Sequence, residues 1–207
     1  LEIEKKLKRI TDKNFKPIIL RLATVYGMSP RIRFDVVINM LCGMAVSSNQ
    51  IKLNSNGLAW RPHINIDDVI LIIEKFFNFD IKSNKKNIFN VGSDENNYRI
   101  LDVVKFIKKI DPSLKLKFLN NQIKNKKDSF ITDKKIQDGV DKRSYKVSFK
   151  RIKNLFNDYK FIKVDNGIKT LIKDLKKYKL NNKKFSKVDF YRLQKLDQIN
   201  KTKKIRI

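Results

Sequence analysis

GLAWRPHINIDDV, residues 57–69, holds the chain's only Trp and only His and reads as a strand feeding a helix. Successive side chains of a strand point to opposite faces, so Trp60, Pro62, Ile64 and Ile66 share one side and Arg61, His63 and Asn65 the other. Asp67 or Asp68 is placed to cap the following helix, which runs to about Phe79. That helix is apolar nearly all round, which predicts a central position. A fixed cation, Arg61, therefore stands in a segment that looks buried, and a buried cation needs a reason.

The alternation of strand and helix continues on both sides of this stretch. Upstream, Leu1–Ile10 has the apolar spacing of the tail of an amphipathic helix, and IILRLATV after Lys16-Pro17 reads as a buried strand. Tyr26–Pro30 is a loop by its Gly and Pro, Phe34–Ser47 a helix with one apolar stripe, Gln50–Asn54 a short strand and residues 54–57 a turn. Downstream come a strand at Asn87–Val91, a polar loop at Asp94–Tyr98 and a helix at Ile100–Ile110 stopped by Asp111-Pro112. A strand at Lys115–Leu119 precedes a lysine-rich excursion at Asn120–Ile136. Tyr145–Val147 is extended, helices follow near Phe149–Asn157 and Asn166–Lys179, and an amphipathic segment at Val188–Ile199 leads into a basic tail. Strands separated by helices argue for an α/β fold with a parallel sheet.

The chain of 207 residues is long enough to bury roughly 70% of its unfolded surface without staples. Its one Cys42 lies among Met40, Leu41 and Met44 and cannot form an internal disulfide, which fits a reducing, cytoplasmic setting. No apolar run reaches the ~20 residues of a membrane helix. The formal charge of +27 comes mostly from lysines scattered along the chain, with Arg scarce. A solvated polar face accounts for it, and no zinc spacing or RNA-binding signature supports a nucleic-acid partner. The chain opens Leu-Glu-Ile-Glu without an initiator Met, which reads as a piece of something longer.

Five segments in order, LRLATVYG (20–27), SPRIRFDVVIN (29–39), WRPHINIDDV (60–69), FNVGSDENNYRILDV (89–103) and KRSYKVSFKRIKNLF (142–156), resemble the C-terminal half of the NAD-dependent epimerase/dehydratase family. These are extended short-chain dehydrogenases acting on nucleotide sugars. FSKVDFYRLQKL (185–196) also resembles a C-terminal element of part of that family. The resemblance implies the end of a Rossmann-type parallel sheet at 1–28 and a smaller mixed α/β substrate-binding domain over 29–207, with 67–92 packing back on the NAD-binding domain.

By resemblance, Arg61 grips the diphosphate of a nucleotide-diphosphate sugar, Arg143 closes on it from the other side, and Asn39 adds an amide contact. An arginine fork suits this work because its planar donors match phosphate oxygens. The same resemblance places Thr24 beside the substrate and Tyr26 beside the NAD or NADP cofactor, with Asn common in the family where Thr24 stands. Asp68 matches a family aspartate, although helix capping explains it, and His63 reads as packing rather than catalysis.

The family's Gly-rich turn for the dinucleotide pyrophosphate is not formed by Gly27, Gly43, Gly57, Gly92, Gly139 and Gly167, which lie far apart. The family's catalytic Tyr and Lys are expected just upstream of Leu1. Two Tyr-x-x-x-Lys matches, Tyr159/Lys163 and Tyr191/Lys195, lie downstream of the substrate motifs and are rejected as that pair. The expectation is thus a substrate-binding portion, silent alone and homodimeric when intact. A noncatalytic nucleotide sensor of the same family is the alternative, and a basic nucleic-acid-binding module a more distant one.

Overall fold

The computed structural model describes residues 2–78, 87–119 and 143–203. The excursion expected at 120–136 and the end of the basic tail lie outside the described residues. In chain order the strands are β1 (Ile19–Leu22), β2 (Thr24–Tyr26), β3 (Gln50–Leu53), β4 (Trp60–Asn65), β5 (Ile88–Val91), β6 (Asn97–Arg99) and β7 (Lys115–Phe118). The helices are α1 (Glu2–Arg9), α2 (Val37–Ser48), α3 (Ile66–Phe77), α4 (Ile100–Ile110), α5 (Lys150–Leu155), α6 (Val164–Lys177), α7 (Asn182–Phe185) and α8 (Arg192–Lys203).

The strands form three small sheets. β1 pairs with β5 and β3 with β7, both in parallel, while β4 lies between β2, parallel to it, and β6, antiparallel. The α/β class expected from the sequence is what the chain adopts. β6 occupies part of the segment read as a polar loop, because its three residues, Asn-Tyr-Arg, are too short and too polar to show a period.

β4 keeps the two-sided division of its side chains. Ile64 and its neighbour Val25 face a core with Val69, Ile72, Phe76, Val91, Phe149 and Ile152. Tyr26, beside Asn65 in the register, faces the larger core of α2, α4 and α6, built around Phe34, Leu41, Ile51, Ile107, Ile168 and Leu171. Arg61, His63 and Asn65 therefore point into the second of these spaces. At Gly167 the backbone of α6 comes so close that an added Cβ would lie 2.1 Å from the Tyr26 hydroxyl. Only glycine admits that ring.

Two expectations for α3 are corrected. The cap is Asn65, whose Oδ1 accepts from the Asp67 N–H at 2.9 Å, rather than Asp67 or Asp68. Asn, Asp and Asp are all good capping residues, and the chain turns into the helix one residue earlier than either aspartate. Nor is α3 central: it buries Val69, Ile72 and Phe76, but Ile70 is 57% and Phe77 85% exposed, with Leu71 and Ile73 also outward.

Candidate functional site

The site grows from the N-terminal end of β4. Segment 143–149 runs across it as a strap fastened mostly by side chains. The Trp60 N–H donates to Ser144 Oγ at 3.1 Å and the Tyr145 N–H to the Trp60 carbonyl at 3.2 Å. Asn97 bonds both the carbonyl and the N–H of Val147, at 3.1 and 3.0 Å, and the Phe149 N–H donates to the Asp94 carboxylate. Asn90 Nδ2 donates to the Ser148 carbonyl at 3.2 Å.

Arg61 meets this strap. It is 8% exposed, and its Nη1 donates to the Trp60 carbonyl at 2.7 Å and to the Arg143 carbonyl. Its guanidinium lies 5.2 Å from the Tyr145 ring centre, while Lys146 and Arg99 lie 3.9 and 5.1 Å from that of Trp60. Two aromatic rings are thus interleaved with cations from β4, β6 and the strap. The arrangement can hold an anion and stack a flat group, because cations over ring faces are attracted to both.

Positions 61 and 143, 82 residues apart in the chain, adjoin. The other expected residues stand apart from them. Asn39 is buried and spends its amide on the loop before α2: Oδ1 accepts from the Gly27 N–H and Nδ2 donates to the Arg33 carbonyl, both at 3.0 Å. Thr24 is half-buried at the start of β2, beside His63. Tyr26 is a correction to its expected cofactor contact. Its ring is in the core, its hydroxyl has no hydrogen-bond partner among the described residues, and burial raises its pKa. Between the carboxyl ends of β2 and β4 and helix α6 there is a cavity of about 80 Å³ lined by Gly27, Asn65, Asp67 and Asp174, too small for a nucleotide sugar.

His63 is fully buried with neither ring nitrogen hydrogen-bonded to any described residue. Burial first, then the nearby Arg61 charge, pushes its pKa down to about 4. It is a neutral imidazole at pH 7. Asp68, buried on the other side of the Asn65 cap, is fully engaged. The Tyr159 hydroxyl donates to Oδ1 at 2.7 Å and the Ile162 N–H to both oxygens at 3.2 and 3.1 Å. The carboxylate ties α3 to the 156–162 turn, a job capping did not foresee.

That bond also bears on Tyr159/Lys163. Burial and the Asp68 carboxylate raise the phenol's pKa, the reverse of what a proton-abstracting tyrosine needs. Tyr191 packs its ring near Phe34 and Phe185, and Lys195 is paired with Asp189 at 2.8 Å. Neither match forms a catalytic pair. Burial raises the Cys42 thiol's pKa as well, so it is inert. Among the described residues no group of three or more His, Cys, Asp or Glu could hold a metal, and no helix is long and apolar enough to cross a membrane.

The sequence profile of the NAD dependent epimerase/dehydratase family matches residues 1–92. Those 92 residues carry that family's sequence. They include Thr24, Tyr26, Asn39 and Arg61 and stop short of the strap. Beyond them the fold itself carries the epimerase/dehydratase likeness. The chain is similar to a UDP-glucuronic acid 4-epimerase from Bacillus cereus solved with UDP-glucuronic acid and NAD, at 22% identity and a TM-score of 0.58, covering 84% of this chain and 50% of that one. It is similar to a dTDP-glucose 4,6-dehydratase from Bacillus anthracis solved with NAD, at 16% identity and TM-score 0.60, covering 93% and 52%. A UDP-glucose 4-epimerase from Thermotoga maritima, solved with UDP-glucose, gives 18% identity and TM-score 0.61, covering 86% and 50%. At these identities the likeness is one of fold, and the chain spans about half the length of the epimerases and dehydratases it matches.

The sequence reading missed Trp60, Arg99, Ser144, Tyr145 and Lys146. A signal was present: WR on β4 and RSYK at 143–146 both set aromatic against basic residues, and their partnership needed the fold to show it.

Proposed function

We propose that this chain is the C-terminal, substrate-binding portion of an NAD(P)-dependent nucleotide-sugar epimerase or dehydratase. The observation that supports it most is the meeting of a buried Arg61 with Arg143 beside Tyr145 and Trp60. Arg61 and Arg143 hold the diphosphate of the substrate, and the rings stand where a flat nucleoside can stack. A diphosphate offers the Arg61 fork charged oxygens in place of the neutral Trp60 and Arg143 carbonyls, and charge-assisted bonds are about twice as strong. The held nucleotide then orients the sugar, and positioning of this kind supplies several kcal/mol of barrier reduction. Thr24, beside His63 on β2, contacts the sugar. Asn39 serves through the loop it braces.

The cofactor is a separate matter. The chain's scattered glycines form no dinucleotide cradle, and the Tyr26 hydroxyl faces the core. These residues do not fit a dinucleotide by themselves, and its binding belongs to the other part of the intact enzyme. The outward face of α3, with Ile70, Ile73 and Phe77, is where this portion packs on that part. The intact enzyme is a cytoplasmic homodimer in this reading, and sedimentation tests the pairing.

The decisive experiment is a calorimetric titration of the intact protein with UDP-glucose. Arg61→Ala is expected to weaken binding by ~2–4 kcal/mol, as when one partner of a buried charge contact is removed. Unchanged affinity takes Arg61 out of the site. Tight binding with no turnover in the presence of NAD identifies the sensor alternative instead.

A further inference from the structure

A second concave surface lies away from Arg61. It is a groove of about 470 Å³ between the C-terminal end of α1, the β1–β5 pair and the start of α5. Arg21 and Asn90 are register partners on β1 and β5, so their side chains leave the sheet side by side and form its floor. Lys8 enters from α1, Lys150 and Arg151 from α5. Four of the seven lining side chains are cations, although Lys and Arg make up only 48 of 207 residues, which predicts between one and two. The concentration exceeds what the general basicity of the chain explains.

The two guanidiniums are held in place. Arg21 is gripped by Glu4, with Nε and Nη2 at 2.8 and 2.5 Å from its carboxylate oxygens. Arg151 lies 4.7 Å from the Phe89 ring centre and donates to the Ile88 carbonyl. Two fixed forks and two mobile ammoniums, offset by the one carboxylate of Glu4, leave about three positive charges around a half-open space large enough for a small ligand. Rigid cations suit compact anions, since little side-chain freedom is lost on binding.

We propose that this groove is a second ligand site, taking a small molecule that carries two adjacent phosphates. Its charge balances the cations, and its size fits the groove better than an extended polymer does. The site shares no residue with the Arg61 cluster and does not rest on the nucleotide-sugar reading. It does share the strap: Ser148 lines the groove, its carbonyl is held by Asn90, and the other end of the strap meets Arg61. An occupant of the groove therefore bears on both ends of that segment.

The test is a calorimetric titration of the full chain carrying Arg61→Ala, which disables the first site, with inorganic pyrophosphate and separately with UDP at 50 mM and 200 mM salt. One pyrophosphate per chain is expected, weakened about tenfold by the combined Lys8→Glu and Lys150→Glu changes. Lys109→Glu, an equal charge change on α4, should alter the affinity less than twofold. Circular dichroism checks that each variant keeps its fold, and Lys8→Gln with Lys150→Gln gives a milder second pair. UDP binding tighter than pyrophosphate makes the source a free nucleotide; equal binding makes it the phosphates alone, and both support the site. The proposal is overturned if pyrophosphate fails to bind in the Arg61→Ala background, or if Lys109→Glu weakens it as much. Binding of a single-stranded oligonucleotide without pyrophosphate binding also overturns it, since that would mean a diffuse basic surface.

Discussion

Helices α3 and α6 are similarly rich in aliphatic residues on one side and end differently. α6 buries Val164, Ile168, Leu171, Ile172 and Leu175 in one stripe and gives lysines to solvent. α3 buries Val69, Ile72 and Phe76 and leaves a second apolar stripe of Ile70, Ile73 and Phe77 in the open. The period of a helix says that a face is apolar; it does not say that the face is covered. α6 is finished by its own chain. In the proposed enzyme α3 is finished by the other part.

The comparison can be broken at its strong end first. Leu171→Ala, at a buried position of α6, should cost about 2–5 kcal/mol in a urea melt. A cost below 1 kcal/mol would mean that α6 is not anchored as described.

Next comes pH, through His63 on the sheet face that α6 covers. The unfolded chain takes up a proton on this imidazole near pH 6.5, and the folded chain only near 4. Unfolding is therefore coupled to proton uptake between those values, and stability falls as pH falls from about 6.5 to about 4. The loss reaches ~3 kcal/mol at the bottom of the window. His63→Leu should remove that slope. A slope unchanged in the variant assigns it to other groups.

Gly167→Ala sharpens the same contact. The new methyl group would meet the Tyr26 hydroxyl at 2.1 Å and its ring carbons at 2.8 Å, so a loss of ~1–3 kcal/mol is expected. Tyr26→Phe should return part of it, since the oxygen goes and the ring stays. Full recovery, or none, would show that the approach of α6 to β2 is not set by this ring.

The smallest effect is expected on α3. Ile73→Lys on the isolated chain should change stability by no more than about 0.5 kcal/mol. The same substitution should weaken the intact enzyme, measured as a lower melting temperature. An equal response in both would remove α3 from the interface.

Much of this was legible beforehand, for definite reasons. α4 runs from Ile100 to Ile110 as read, because a clean apolar period ends at Asp-Pro. The two faces of β4 were readable because a strand's period is two. The cap of α3 was not, since Asn65, Asp67 and Asp68 are all competent and only backbone angles choose among them. The same limit applies to Tyr26: a residue at a strand's end is placed by sequence, yet its direction depends on Gly167, 141 positions away. Of the site, the resemblance supplied Arg61 and Arg143. The rings between them come from contacts with no local signature.

The strap carries a consequence for the order of assembly. Its fastenings join Trp60 to Ser144 and Asn97 to Val147, partners 84 and 50 residues apart. Closing loops of that length costs entropy that is recovered only after both ends are in place. Residues 143–149 therefore dock after the sheets they cross, and the newly synthesised chain acquires its folded cores before it acquires the neighbourhood of Arg61.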